Sequence, residues 1–178
     1  FLLIITFLFS SGGQIFGQGK VSLSAGLGIP ELINVGIQYR IEQAQIGIGF
    51  GYFPPSSSSS DPYAYFSWGT LISLSGDIYY HFSGSSEFSD VRPWYGMIGL
   101  NYLRDETERI LDKYLYLNLR IGRDLNISHK IGIALDAGVM VQIFNEYIEK
   151  IPCTGWFCGG VLDFPVLPSL GIRLFYRL

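Results

Sequence analysis

SLGIRLFYRL, residues 169–178, alternates without a break. Leu170, Ile172, Leu174, Tyr176 and Leu178 fall on one side, and Ser169, Gly171, Arg173, Phe175 and Arg177 on the other. Successive side chains of a strand point to opposite faces, so this is a strand with one apolar face and one face carrying two arginines. The run reaches the final residue of the sequence, where the ends of soluble domains usually fray.

Working back from that stretch, the same alternation recurs with turn signals between the runs. The first strand is Val21 to Ile29, its apolar set Val21, Leu23, Ala25, Leu27 and Ile29, broken by Pro30-Glu31. The second sets Ile33, Val35, Ile37, Tyr39 and Ile41 against Asn34, Gly36, Gln38, Arg40 and Glu42. The third sets Ile46, Ile48, Phe50 and Tyr52 against Gln45 and three glycines. After a low-complexity segment, Pro54-Pro55 and Ser56 to Ser60, the fourth runs from about Trp68 to Phe82 with Asp77 and His81 on its polar side. The fifth spans Trp94 to Leu103, and a charged loop is expected from Arg104 to Lys113. The sixth sets Leu115, Leu117, Leu119 and Ile121 against Tyr114, Tyr116, Asn118, Arg120 and Gly122. A tight turn is expected over Asp124–His129, then a seventh strand from Ile131 to Ile143 with Asp136 on its polar side. A long loop, Asn145 to Asp163, leads to the eighth.

The composition narrows the setting. The chain has 178 residues, enough for one domain, with 48% hydrophobic and only 15% charged residues. It lacks any uninterrupted apolar stretch of about 18 residues, the minimum for a membrane-crossing helix. A closed β-barrel is the other structure that satisfies every backbone group in lipid. The net charge of −3 argues against a nucleic-acid surface, which requires a basic face.

Two barrels fit eight strands. In a lipocalin-like soluble barrel the apolar face fills the interior, leaving an outer surface of Gly, Ser and Asn poor in Lys and Glu. That arrangement also crowds too many large side chains into a lumen that eight strands leave only just filled. The apolar-out arrangement places small and polar residues inside, and is the one expected. Counting from a periplasmic start, the longer connections (about 53–66, 104–113 and 145–163) fall on one side. Shorter turns fall on the other, as in outer-membrane barrels. The first outer connection, Pro30–Glu31, is short, and the inner turn over Ser83–Val91 is long. Leu117, Leu119, Ile133, Leu135, Ile172 and Leu174 are expected to face lipid. Tyr39, Tyr52, Tyr80, Phe82, Trp94, Tyr102 and Tyr176 read as interfacial girdles.

The terminal strand resembles the C-terminal signal of bacterial outer-membrane β-barrels, a polar residue, then glycine, then hydrophobic positions, matched by Ser169, Gly171, Leu174, Tyr176 and Leu178. With its strand count, the chain resembles the small eight-stranded barrels of the OmpA/OmpX type. The resemblance implies an eight-stranded antiparallel transmembrane up-and-down barrel in the outer membrane of a Gram-negative cell, with both mature termini periplasmic. It implies outer-membrane lipids and lipopolysaccharide as surroundings and the barrel-assembly machinery as a transient partner. Because the strand closes the sequence, no trailing peptidoglycan-binding domain is expected.

Residues 1–17 are expected to be a secretory signal. Phe1 to Phe9 (FLLIITFLF) has the length of its apolar core, and cleavage falls near Gly17–Gln18. Without a starting Met or basic residues ahead of it, this segment is expected to be shortened at its N-terminus. The mature domain is then 18–178.

Candidate chemistry is sparse. Cys153 and Cys158 (CTGWFC) lie in the longest outer loop, where an exported protein can form a local disulfide. Such a bridge presents Trp156 and Phe157 either to a partner or the lipopolysaccharide surface, or back onto the barrel rim. The outer loops carry more acidic than basic residues, giving an acidic rim. Inward-facing charges are expected at Arg40, Glu42, Asp77, His81, Arg120, Asp136, Arg173 and Arg177. Of these, Arg40, Asp77, Arg120, Asp136 and Arg173 make the candidate lumenal network, with Arg120 placed near the periplasmic end. Ionisable groups at membrane depth are costly and are paired or functional. Two readings follow, a salt-bridged plug and a narrow pore or solute site. A lipid-modifying enzyme needs a Ser nucleophile and a His base at the outer rim. The two histidines, His81 and His129, map to the periplasmic side. The Asn126-Ile127-Ser128 sequon carries no weight in a bacterial periplasmic turn. The expected function is therefore non-enzymatic, with no cofactor and no metal: a structural or interaction barrel displaying its outer loops.

Overall fold

The computed structural model describes residues 20–54, 70–106, 110–150 and 165–178. Within them the chain forms eight strands and no helix: β1 Val21–Ile29, β2 Leu32–Ile41, β3 Ala44–Phe53, β4 Thr70–Ser83, β5 Trp94–Glu106, β6 Ile110–Asn126, β7 Ile131–Glu149 and β8 Val166–Arg177. Each strand pairs antiparallel with the next in sequence. β8 returns to β1, from Ser22 opposite Arg177 to Ile29 opposite Leu170, and closes the barrel. The segment 1–17 expected to be a signal, the start expected at Trp68, the serine run, and Cys153, Trp156, Phe157 and Cys158 lie outside the described residues.

The period-two pattern sets both the strands and their burial. Along β4, Ser73, Ser75, Asp77, Tyr79 and His81 are buried, while Leu74, Ile78, Tyr80 and Phe82 are exposed. Of the six residues expected to face lipid, Leu119, Leu135, Ile172 and Leu174 are exposed, and Leu117 and Ile133 are half-buried. None of the six is packed into the interior.

Polarity misleads where strands end. The charged segment expected as a loop at Arg104–Lys113 is mostly strand, because β5 runs to Glu106 and β6 starts at Ile110. Across β5–β6 like charges sit opposite, Arg104 with Lys113 and Asp105 with Asp112, which by itself disfavours pairing. The opposite charges come from the same strand and from the β7 side, Arg104 to Glu106 at 2.7 Å, Lys113 to Glu146 at 2.8 Å and Lys150 to Glu106 at 2.8 Å. Cross-strand ion pairs stabilise a ladder, so a charge-rich stretch here extends the sheet. β7 likewise continues to Glu149, past the expected loop start at Asn145. A register shift between Leu115 and Tyr116 of β6 leaves one extra residue in β7, which hides the continuation from a simple alternation count. Asp124 to Asn126, expected as turn, close β6. At the β2–β3 connection Glu42 adopts a φ of 56° and is exposed. It is a turn residue and not one of the inward charges.

Close approach explains one glycine. A Cβ on Gly138 would collide with the Leu119 carbonyl and the Arg120 backbone across the β6–β7 ladder. Gly138→Ala is expected to lower stability by about 1–3 kcal/mol in urea unfolding. Gly96, whose Cβ position meets nothing within 4 Å, should tolerate the same change within about 0.5 kcal/mol.

Candidate functional site

The centre of the barrel is built around Arg120. Alternation along β6 turns Asn118, Arg120 and Gly122 inward, and β7 and β8 bring Asp136 and Ser169 to the same level. The Arg120 guanidinium donates to Asp136 Oδ1 at 2.8 Å, to Glu31 Oε1 at 2.6 Å and to the Ile29 carbonyl at 2.7 Å. Its Nε donates to Asn118 Oδ1 at 3.2 Å and to Ser169 Oγ. Asn118 in turn donates to Glu31 Oε1 at 3.0 Å. Arg173 joins from β8, 2.9 Å from Asp136 Oδ2, and donates to the Tyr79 hydroxyl at 2.6 Å and the Tyr95 hydroxyl at 3.2 Å. Tyr95 donates to Asp136 Oδ2 at 2.9 Å. Asp77 closes the set, accepting from Ser75 at 3.0 Å and from Tyr79 at 3.4 Å.

The Arg120 and Asp136 side chains are 3% and 0% exposed. Buried charge is tolerable only with near-complete pairing and hydrogen bonding. The two arginines pair with Glu31 and Asp136, while Asp77 is held by the Ser75 and Tyr79 hydroxyls and leaves its Oδ1, like Arg173 Nε, without a hydrogen bond among the described residues. Gly171 makes room for it, since a Cβ there would strike Asp136 Oδ1 and crowd Arg120 Nη1.

Apolar layers close the barrel above and below. Towards the β1–β2 turn, Leu103, Tyr114, Tyr116 and Met140 form a buried cluster, with Leu32 and Leu167 packed on it. At the other end Tyr79 and Tyr95 meet edge to face at 5.6 Å, beside Met97. Below them His81 donates from Nδ1 to the Arg92 carbonyl at 2.6 Å. Arg177 lies over the Phe175 ring at 4.7 Å and bonds Asn126 at 2.5 Å. Two cavities of about 30 and 20 Å³ remain among these side chains, each with room for one or two waters. Among the described residues no group of three or more His, Cys, Asp or Glu side chains is placed to hold a metal ion.

Asp77, Arg120, Asp136 and Arg173 are therefore brought together, while Arg40 lies near the β2–β3 turn, opposite Gln45. Arg120 was expected near the periplasmic end and instead occupies the centre, because β6 continues six residues beyond it to Asn126. Glu31 was read only as part of a strand break. The chain reverses at Pro30–Glu31 and delivers the carboxylate into the barrel, leaving it 9% exposed. A turn residue has no face in an alternation count, so no local signal in the sequence marked Glu31 as inward. Of the residues expected to form a terminal assembly signal, Ser169 is fully buried and Gly171 half-buried, Leu174 and Leu178 are exposed, and Tyr176 is half-buried. Ser169 Oγ also donates to the Ile29 carbonyl at 3.0 Å.

Compared with known protein families, curated proteins and solved structures, the chain matches none, so the fold and the cluster stand on its own residues.

Proposed function

We propose that the protein is a non-enzymatic integral barrel of the outer membrane, plugged at its centre, that anchors and displays its outer loops for structural or interaction purposes. The observation that carries this reading is the run of exposed large hydrophobic side chains contributed by every strand. These include Leu27, Ile37, Ile48, Ile78, Leu100, Ile121, Val139 and Ile172, from 44% to 66% exposed. Soluble monomers rarely expose contiguous apolar patches beyond a few hundred Å², whereas a lipid-facing wall requires one. Exposed Tyr39, Tyr80, Phe82 and Trp94 cluster towards one end of this wall, with Tyr52 and Tyr102 towards the other, the arrangement of interfacial aromatic belts.

In this reading the Arg120 cluster is a plug that fixes the barrel's shape. The outer end is the partner-facing surface. It comprises the extended tips of β5, β6 and β7, tied by Lys113–Glu146 and Lys150–Glu106, each 2.8 Å, and the following segment with Cys153, Trp156, Phe157 and Cys158. The alternative reading, a narrow pore or solute site, rests on the lumenal charges. The filled interior favours the plug.

Refolding into phosphatidylcholine vesicles tests the membrane assignment. The protein should float with the vesicles after a urea wash, with its strands protected from protease. A protein that stays monomeric in the aqueous fraction contradicts the assignment. In planar bilayers the inserted protein should be electrically silent. A reproducible open state that is lost on Arg173→Ala would support the pore instead.

A further inference from the structure

The outer wall of β4 to β7 carries an apolar groove. Its floor is Gly96, and its sides include Tyr80, Phe82, Ile98, Ile121 and Ala137, around an open volume of about 530 Å³. The groove exists because small residues interrupt the wall. Gly96 sits opposite Tyr80 on one side and Ile121 on the other, and Ile121 sits opposite Ala137.

One end of the groove is basic. Arg123 lies opposite Trp94, one outward position beyond Gly96 and Ile121, with its guanidinium over the indole at 5.4 Å. Arg92 is exposed and donates to the carbonyl of Phe82, a groove residue, at 3.0 Å. Among the described residues neither arginine takes part in an ion pair. Two uncompensated guanidinium groups and an indole at the mouth of an apolar trough match a phosphate headgroup with an attached acyl chain.

Resting on the membrane assignment above, we infer that this groove is a binding site for one anionic glycerophospholipid. An acyl chain lies over Gly96, and the phosphate is held between Arg92 and Arg123. The end carrying Arg92 and Arg123 is the one that also holds both termini of the barrel, so the ligand comes from the leaflet on that side.

The test uses full-length protein with Trp68 and Trp156 replaced by Phe, leaving Trp94 as the fluorophore, in vesicles of phosphatidylcholine doped with chain-brominated phosphatidylglycerol. Trp94 should be quenched at dopant fractions well below those needed for random contact. Arg92→Gln and Arg123→Gln should each raise the half-quenching fraction about fivefold, the change expected for one arginine at a lipid surface. Gly96→Leu should abolish the preferential quenching. It fills the trough, and nothing within 4 Å opposes a side chain there. Gly76→Leu is the control, because Gly76 is equally open but lies outside the groove; it should behave as the parent protein. Identical quenching in the parent and Gly96→Leu proteins, both inserted, overturns the site and leaves the membrane assignment standing. Conversion of a dimer to a monomer by Gly96→Leu, without change in quenching, also overturns it and assigns the groove to a second copy of the chain. Failure of the parent protein to insert removes both the assignment and the site.

Discussion

Arg120→Met should lower the unfolding free energy by about 3–5 kcal/mol, the usual cost of removing one member of a buried ion pair. The substitution keeps most of the side-chain volume but strips the central donor from Glu31, Asp136, Asn118, Ser169 and the Ile29 carbonyl. Asp136 keeps Arg173 and Tyr95, so the larger burden falls on Glu31, left with the Asn118 amide. Adding Glu31→Gln to Arg120→Met should therefore recover part of the loss, a coupling that independent sites do not show. Lys113→Met, which removes an ion pair with both side chains partly exposed, supplies the contrast at about 1 kcal/mol or less. Urea titration of the barrel in vesicles measures all four proteins. If Arg120→Met costs no more than Lys113→Met, the cluster does not hold the barrel together.

The contrast between these two ion pairs also explains what the sequence made legible. Alternation is a local signal, and it survives in every strand because the two faces of the wall differ in polarity at each step. Strand order follows where short turns join consecutive strands. Across the longer connections between β3 and β4 and between β7 and β8 it follows from the tendency of consecutive strands to pair and from the need to leave no open edge. The inward set of β6 (Tyr114, Tyr116, Asn118, Arg120) follows from the same count, and all four are buried. Where a strand ends is a different matter, because it depends on what sits across the ladder. Lys113 looks like a loop residue until Glu146 is placed beside it, and that neighbour is thirty-three positions away. Glu31 was hidden for the same reason. A turn residue has no face in an alternation count, and only the closed barrel brings it to Arg120, eighty-nine positions on. Ser169 and Gly171 carry two meanings at once. They match a terminal signal by type, and they make contact with or leave space for the Arg120 pair, which no local pattern predicts.

Leu135→Arg should cost about 1–2 kcal/mol and impair insertion, because the side chain lies between the bilayer midplane, where an arginine costs about 2–4 kcal/mol, and the interfacial level of Trp94 and Arg123, where it costs about 0–1. Its value as a test lies in its sign. Leu135 is 42% exposed, and at an exposed position in water the same change falls within about 0.5 kcal/mol of neutral. Leu135 is opposite Ile172 of β8 and Arg123 of β6, so the added guanidinium faces an aliphatic neighbour on one side and a like charge on the other. Salt screens that repulsion in water, and lipid does not. The neighbouring position isolates the effect of the face. Asp136 lies one residue along the strand, is buried, and holds two arginines. Asp136→Leu should thus be strongly destabilising in any solvent, while Leu135→Arg should be destabilising in lipid alone. Unfolding of both variants in vesicles, alongside the parent, decides the matter. A Leu135→Arg barrel as stable as the parent would place the exposed apolar wall in water and return the molecule to the soluble barrels.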